Sequence, residues 1–209
     1  MIHVVLCDDH ALVRRGIRDT LEEAGDIEIT GEAGSYSELR EVLRSAVCDV
    51  LLLDLNMPGR SGLEVLGALR ETHPHIRAVV VSMNPADQYA VRCLRAGAHG
   101  YASKAADPVV LIDAVRVVAQ GRKYLTADVA QMLAESISEP ASEAAHSALS
   151  ERELQTLLKI ASGRRLSEIA EELMLSPKTV SVYRARVLEK LKLSNNAELT
   201  VYAIRNDLV

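Results

Sequence analysis

The 209-residue sequence contains no phenylalanine and no tryptophan, and six tyrosines make up its whole 3% of aromatic residues. This scarcity excludes modules that stack several bases on aromatic rings, such as RNA-recognition sheets and single-strand-binding barrels. Three widely spaced cysteines (Cys7, Cys48, Cys93) form neither a disulfide framework nor a CxxC metal site, which favours a reducing, cytoplasmic compartment. No apolar run approaches the roughly 20 residues that cross a bilayer, and MIHVVLCDD lacks a basic n-region. We therefore expect neither a membrane span nor a signal peptide.

The formal net charge of −5 argues at first against a nucleic-acid partner, but the charge is unevenly distributed. Residues 1–143 carry 14 Lys and Arg against 21 Asp and Glu, a net −7, whereas residues 144–209 carry 10 against 8, a net +2. Within 176–192 the only acidic residue is Glu189, and the basic ones are Lys178, Arg184, Arg186, Lys190 and Lys192. The two parts of the chain therefore suit different partners.

The hydrophobic pattern changes along the chain in the same way. In residues 1–120, short apolar runs at 2–7, 27–33, 49–55, 77–83 and 99–104 alternate with stretches of helical spacing, which predicts a doubly wound α/β domain with a five-stranded parallel sheet. Residues 121–148 are rich in Ala, Ser and Glu and indicate a linker with a short helix over 127–136. Residues 149–209 predict an all-α domain of four helices, at about 150–162, 166–173, 177–192 and 195–206.

Polar side chains cluster at the carboxyl ends of the predicted strands, where open α/β sheets bind ligands. Each of these residues alone fits a cap, a turn or a solvated surface, but four of five strand ends carry complementary chemistry. Three carboxylates in one place require a cation such as Mg²⁺, and a hydroxyl with an ammonium suits a phosphoryl group. The set therefore predicts Mg²⁺-assisted phosphorylation of an aspartate. Its members are Asp8, Asp9, Asp54, Ser82 and Lys104.

The third C-terminal helix has two distinct faces. Val180, Val187 and Leu191 form a narrow apolar stripe that must face the domain, and the turn before the helix begins with a capping serine followed by proline. The opposite arc would enter the DNA major groove and comprises Lys178, Ser181, Val182, Ala185 and Glu189, with Arg186 at its edge. Lys178, Thr179 and Lys190 are expected to contact phosphates, and Arg184 a phosphate or an ion-pair partner within the domain. On this pattern alone, a generic helical bundle with a solvated basic face remains open.

Residues 1–120 resemble a bacterial response-regulator receiver domain in LCDDH, LLLDLNMPGRSG, Ser82 and GYASK. The resemblance implies a flavodoxin-like sheet with Asp54 as phospho-acceptor. Asp8, Asp9, Asp54 and the backbone carbonyl of Asn56 would hold Mg²⁺. Lys104 would contact the phosphate, and Ser82 and Tyr101 would act as the switch pair, with Tyr101 rotating inward. Two departures from the family pattern are Met83, where many receivers have Ala or Gly, and Ala105, where many have Pro.

Residues 149–209 resemble the LuxR-type helix-turn-helix domain, so the whole chain resembles response regulators of the NarL/FixJ class, especially the GacA/UvrY-like group. A sensor histidine kinase would then phosphorylate Asp54 and control dimerisation and sequence-specific binding to double-stranded DNA, regulating transcription. The only catalysis expected is the chain's own phosphotransfer and dephosphorylation, and RNA polymerase remains open as a further partner. Ser181 and Tyr183 depart from the class, so the target sequence does not carry over. In the last helix Leu199, Val201, Tyr202 and Ile204 fit either the class's dimer surface or core packing.

Two other functions are compatible with parts of the sequence. An interaction protein whose receiver binds a partner without controlling DNA would explain why Ser181 and Ala185 are poor base readers. A phosphoaspartyl hydrolase of the haloacid dehalogenase type would need a second aspartate two residues after the nucleophile, where this chain has Asn56. The first of these remains open, and the second receives little support.

Overall fold

The structure is a computed structural model that describes residues 1–57, 62–83, 86–138, 145–206 and 208–209. The chain divides into two compact units, Met1–Glu135 and Ser136–Val209. This division falls inside the predicted linker, of which residues 139–144 lie outside the described residues, as do residues 58–61 of the LLLDLNMPGRSG segment. No helix among the described residues is long and apolar enough to span a membrane.

The first unit contains a five-stranded, all-parallel sheet in the order β2-β1-β3-β4-β5, which confirms the predicted fold class. The strands are β1 (Ile2–Cys7), β2 (Ile27–Ala33), β3 (Val50–Leu53), β4 (Arg77–Ser82) and β5 (Gly100–Ser103). The helices are α1 (Ala11–Glu22), α2 (Tyr36–Val42), α3 (Gly62–Thr72), α4 (Ala86–Ala96), α5 (Pro108–Ala119) and α6 (Ala127–Ser138), whose last residues belong to the second unit.

The central strands are buried on both faces, which explains why their sequences are nearly continuous apolar runs. On one face, alternate residues such as Val4, Val50 and Val79 pack with Leu21 of α1 and Val115 of α5. Residues of opposite orientation in the same strands, including Val5, Leu51 and Val80, are equally buried. The core therefore fixes the positions at which β1, β3 and β4 leave the sheet.

The first unit extends past residue 120, the predicted end of the first domain. Tyr124 lies beside Gly100 of β5 in a parallel bridge, and its N–H donates to the carbonyl oxygen of His99 at 2.8 Å. Its side chain packs against the sheet core. The chain after α5 is therefore tied to the edge of the sheet before α6 begins.

The second unit contains a 3₁₀ turn (Ala145–Ala148) and the helices α7 (Glu151–Ala161), α8 (Leu166–Glu172), α9 (Pro177–Leu191) and α10 (Asn196–Arg205). The expected caps are present. Ser150 and Glu153 form a capping box at α7, and Ser176 caps α9 with Pro177 in its first turn. All four predicted helices are observed within about two residues of their expected ends.

Candidate functional site

The candidate site forms where four strands end on the same edge of the sheet. Asp8 follows β1, Asp54 follows β3, Ser82 ends β4 and Lys104 follows β5. Hydrogen bonds between neighbouring strands hold these ends in place: the Asp54 N–H donates to the Cys7 carbonyl at 2.8 Å, and the Lys104 N–H donates to the Ser82 carbonyl at 2.9 Å. The structure therefore brings these four strand ends together at one edge of the sheet.

Lys104 joins two of the carboxylates. Its Nζ lies 2.7 Å from Asp8 Oδ2 and 2.8 Å from Asp54 Oδ2, and all three side chains are buried. Buried charges are tolerated when they are paired in this way, and removing one partner leaves a costly unpaired charge. Lys104 thus holds Asp54 in a fixed position at the floor of the pocket.

The surroundings shift the pKa values of both Asp54 and Lys104. Burial raises the pKa of Asp54 above its usual range, although Lys104 and the N–H of Asn56 act to lower it. For Lys104, burial acts to lower the pKa, but the charges and hydrogen bonds of Asp54 and Asp8 outweigh it and raise that pKa. The charged form of Lys104 is therefore favoured in the pocket.

Asp9 and His10 lie on the outer side of this pair. His10 Nδ1 is 2.8 Å from Asp9 Oδ1 and 3.4 Å from Asp8 Oδ1. One potential ligand atom from each of Asp8, Asp9, His10 and Asp54 lies within 4.8 Å of the other three. Asp9 Oδ1 is buried, and among the described residues it has no hydrogen-bond partner. Such an oxygen beside two further carboxylates is a candidate ligand for a cation.

Two structural supports of the site were not predicted from the sequence. Gly62 lies against the loop after Asp54, and a Cβ added to it would be 2.8 Å from Leu55 Cα, so only glycine fits without a shift. Arg14 donates from Nη1 to the Asp8 carbonyl at 2.5 Å and from Nε to Glu32 Oε2 at 2.9 Å. Arg14 could have been suspected from the sequence, because it is an arginine in a helix that begins next to the strand ends. No pattern in the sequence indicated that Gly62 supports the site.

The remaining predicted receiver residues lie close to this pocket in the fold. The backbone N–H of Asn56 donates to Asp54 Oδ1 at 3.1 Å. Ser82 is fully buried at the end of β4, and Tyr101 is buried in β5 opposite Val80. The Tyr101 ring is therefore already inside the domain in this structure. Ala105 donates its N–H to Ser103 Oγ at 3.2 Å, a bond that proline could not make.

In the second unit, α8 and α9 form a helix-turn-helix. The apolar stripe of α9 is buried as predicted, at Val180, Val187 and Leu191. Much of the opposite arc faces solvent, and Thr179 is half-buried and joined to Ser176 at the helix start. The exposed members of the predicted DNA-binding set are Lys178, Ser181, Val182, Ala185, Arg186 and Lys190.

Lys190 and Arg184 are engaged within the unit. Lys190 Nζ lies 2.6 Å from Oε2 of the buried Glu153 and donates to the Ala148 carbonyl at 3.2 Å, although the sequence predicted a phosphate contact. Arg184 donates from Nε to Asn196 Oδ1 at 2.5 Å, so its observed partner is an amide of α10 and not a carboxylate. Both side chains connect α9 to neighbouring elements.

The sequence left open whether the apolar residues of α10 form a dimer surface or pack in the core, and the structure shows that they differ in burial. Leu199 is fully buried in the unit, whereas Val201 and Ile204 are about half exposed. Val201 and Tyr202 line a groove of about 400 Å³ with Leu193 and Ala197. Core packing thus accounts for Leu199 and leaves the other side of α10 available for a partner.

Two family models match the chain in separate regions. The response regulator receiver domain matches residues 4–116, and the bacterial regulatory proteins of the luxR family match residues 147–203. The first region contains the carboxylate pocket, and the second contains the helix-turn-helix.

Curated relatives match over the whole length. The chain is 40% identical to the response regulator UvrY of Escherichia coli (strain K12), covering 100% of this chain and 96% of UvrY. It is 39% identical to the response regulator GacA of Pseudomonas protegens, covering 100% and 98%. Among solved structures, RcsB of Salmonella enterica serovar Typhimurium, bound to promoter rprA in the presence of phosphomimetic BeF₃⁻, has a TM-score of 0.62 and 27% identity over 96% of this chain and 97% of RcsB.

Proposed function

Because the chain belongs to the response-regulator family, with a receiver domain followed by a LuxR-type domain, we propose that phosphorylation of Asp54 controls its binding to DNA. The observation that carries this proposal is the placement of Asp54 at the end of the central strand β3, with Lys104 Nζ 2.8 Å from its carboxylate. Two-component regulation of transcription is the function of this architecture. The roles of individual residues follow from the pocket.

Asp54 is the nucleophile of the proposed phosphotransfer. One carboxylate oxygen attacks the phosphorus of a phosphohistidine on a sensor kinase, the P–N bond breaks, and its electron pair returns to the imidazole. The product is an acyl phosphate. Lys104, which already contacts Asp54, stays beside the reacting oxygen and stabilises the charge that develops on the phosphoryl group. This phosphotransfer and the hydrolysis of the acyl phosphate, in which water attacks and inorganic phosphate leaves, are the only catalysis we assign to the chain.

The same pocket suits Mg²⁺. Asp8, Asp9 and Asp54 supply carboxylates within ligand distance of one another, and the buried Oδ1 of Asp9 lacks a hydrogen-bond partner among the described residues. The backbone carbonyl of Asn56 would be a further ligand, as the family pattern implies. When bound, the ion supplies positive charge between the carboxylates and the phosphoryl oxygens.

Ser82 and Tyr101 would carry the signal away from Asp54. The Ser82 hydroxyl lies at the end of β4, the strand beside β3, and would donate a hydrogen bond to the proposed phosphate. A shift of the Ser82 side chain toward the phosphate would change the packing beside it, and the buried ring of Tyr101, on the neighbouring strand β5, would adjust to that change. The surface near these strands would then change with phosphorylation.

The α9 helix would read DNA in the major groove, by analogy with RcsB bound to its promoter. Lys178 and Thr179 at its start would bind phosphates, and Ser181, Val182, Ala185 and Arg186 would face the bases. The exposed side of α10 would form a homodimer of phosphorylated chains that binds two half-sites. The sensor kinase and RNA polymerase are partners in the cytoplasm under this proposal.

The test combines phosphorylation with DNA binding in the full chain. Sites selected from a random DNA library would be titrated by fluorescence anisotropy, with and without acetyl phosphate and Mg²⁺. We expect about 5- to 150-fold tighter binding after phosphorylation in wild type and in the surface control Asp19→Asn. Asp54→Asn should lose this response. Stimulation that persists in Asp54→Asn, or binding without sequence preference, would contradict the proposal.

A further inference from the structure

A pocket of about 340 Å³ lies at the amino ends of β4 and β5, the end of the sheet opposite to Asp54. The buried side chains of Leu69, Ile76 and Leu94 form part of its lining and make it apolar. Small-molecule sites in proteins have volumes of about 300–1,000 Å³ and combine an apolar lining with a few polar groups. The pocket therefore has the size of a site for a compact ligand.

The rim of this pocket is cationic. Its exposed basic residues are Arg70 in the last turn of α3, Arg95 in the last turn of α4 and Lys123 after α5, and none of the described lining residues is acidic. Two of these side chains reach the turn between α4 and β5. The Arg70 stem lies 3.5 Å from the place a Cβ of Gly97 would take, and Lys123 Nζ donates to the Ala98 carbonyl at 3.3 Å. Positive charge is thus concentrated in a part of the chain whose net charge is negative.

The carbonyl groups at the two helix ends do not engage this charge. Basic side chains in a last turn often bind the final carbonyl groups of their helix. Here the backbone supplies such bonds: the Ala98 N–H donates to the Cys93 carbonyl of α4 at 2.9 Å. The His73 N–H likewise donates to the Leu69 carbonyl of α3 at 2.7 Å. The Arg70 guanidinium makes no ion pair or hydrogen bond within the described part of the chain, so it is available to a ligand.

The imidazole of His99 responds to the positive charge around the pocket. His99 lines the pocket just before β5 and is half-buried, and its Nδ1 has no hydrogen-bond partner among the described residues. Burial lowers the pKa of His99 below the ordinary 6.5, and the charges of Lys123 and Arg77 lower it further. An anion bound in the pocket would oppose the effect of these two cations.

We propose that this pocket binds a small phosphomonoester. Arg70, Arg95 and Lys123 would hold the phosphate, and the organic part would lie against the apolar lining. Three cations suit a phosphate dianion, and guanidinium groups form paired hydrogen bonds with phosphate oxygens. No lining residue of this pocket belongs to the site around Asp54, so the proposal gives the receiver domain a second ligand that is independent of phosphotransfer.

NMR titration of the full chain with phenyl phosphate, in the absence of Mg²⁺, tests the site directly. The bound probe should raise the pKa of His99, because the dianion offsets the charges of Lys123 and Arg77. The imidazole Cε1–H signal reports this pKa and is assigned with His99→Gln. The signal of His146, in the second unit, should not respond. An unchanged pKa of His99 at about 10 mM probe would overturn the inference, and this result requires no variant to fold.

Calorimetric titration of matched variants provides the second readout. Arg70→Gln should weaken phenyl phosphate binding on the order of tenfold, because it removes a charge-assisted contact. The control Arg40→Gln changes an exposed arginine in the last turn of α2, outside the pocket, and should bind the probe like the wild type. Equal affinities in Arg70→Gln and the wild type would overturn the proposal.

Two further ligands test the chemical class. Inorganic phosphate lacks an apolar part and benzoate carries a single charge, so each should bind at least about fivefold more weakly than phenyl phosphate. If inorganic phosphate binds as tightly as phenyl phosphate, the apolar lining contributes nothing and the assignment to a phosphomonoester fails. Tighter binding of benzoate would assign the pocket to carboxylates instead.

Discussion

Replacing Lys190 separates two roles that the sequence could not distinguish. The helical pattern of α9 predicts a DNA phosphate contact, whereas the structure pairs Lys190 Nζ with Glu153 Oε2 at 2.6 Å. The Glu153 side chain is 3% exposed and that of Lys190 is 40% exposed. The first role predicts a loss of DNA affinity in Lys190→Met, and the second predicts a loss of stability.

The magnitude follows from the burial of the two groups. Removing one partner of a fully buried ion pair costs about 3–5 kcal/mol, whereas exposed pairs contribute about 0–1 kcal/mol. Here the lysine is partly solvated, and Glu153 still accepts from the Ser150 N–H at 2.7 Å. We therefore expect Lys190→Met to destabilise the second unit by about 1–2 kcal/mol. In a double-mutant cycle with Glu153→Gln, the coupling energy should be about 1 kcal/mol.

The pH dependence has a definite sign. Burial acts to raise the pKa of Glu153, but hydrogen bonds from Lys190 and Ser150 outweigh it and hold that pKa below its ordinary 4.5. A lowered pKa in the folded state stabilises the fold above about pH 4.5, and this contribution is lost as the pH falls through the lowered value. The difference between wild type and Glu153→Gln should therefore shrink in acid.

Hydrogen–deuterium exchange followed by mass spectrometry measures the local loss of stability caused by Lys190→Met in the full chain. Peptides from α7 and α9 should exchange about 5- to 30-fold faster in Lys190→Met, corresponding to about 1–2 kcal/mol. The control Lys178→Met, at an exposed position near the start of α9, should leave exchange unchanged and weaken DNA binding. Unchanged exchange in Lys190→Met with a loss of DNA affinity equal to that of Lys178→Met would refute the structural reasoning.

Four further substitutions test the rest of the molecule. Gly62→Ala should cost about 1–3 kcal/mol in urea denaturation of the first unit, because the added Cβ would meet Leu55 Cα at 2.8 Å. Lys104→Gln should slow acetyl-phosphate labelling by at least about tenfold, since it leaves two buried carboxylates without their cation. Met83→Ala should speed labelling or hydrolysis of the acyl phosphate by removing an exposed side chain beside Ser82, and an unchanged rate would show that Met83 does not restrict access. Ile204→Asp should weaken sedimentation-detected dimers while leaving the circular dichroism spectrum intact, because the side chain is largely exposed on α10.

Sequence reasoning placed the strand-end residues correctly because a parallel sheet converts a local pattern into a spatial one. Each buried run ends at a known edge, so Asp8, Asp54 and Lys104 had to meet there once the five strands were recognised. The apolar period of α9 likewise fixed its buried face, which the structure confirms at Val180 and Val187. In both cases the pattern lies within a single helix or in strands that repeat along the chain, so it can be read directly from the sequence.

The contacts between elements were harder to predict. A helical wheel places Lys190 on the outside of α9, but the long side chain reaches back to Glu153, whose position depends on how α7 packs. Glycine fits almost any loop, so the sequence does not show that position 62 requires it. Only the close approach of Leu55 shows that a larger residue would collide there. His10 stood in the recognised LCDDH motif, yet its ring direction depends on the turn into α1. Such features require three-dimensional packing, which periodicity does not encode.

The charges in the carboxylate pocket show why a lysine alone is insufficient there. Lys104 contacts both Asp8 and Asp54, and His10 Nδ1 lies 3.4 Å from Asp8 Oδ1. Asp9 lies outside that arrangement, with a buried oxygen that no donor satisfies in the described part of the chain. In the proposed phosphotransfer, an incoming phosphoryl group would add further negative charge to the same space, and a cation bound beside Asp9 would offset it. Under the proposed function, Lys104 would hold Asp54 before the reaction, and the bound ion would stabilise the phosphorylated state electrostatically.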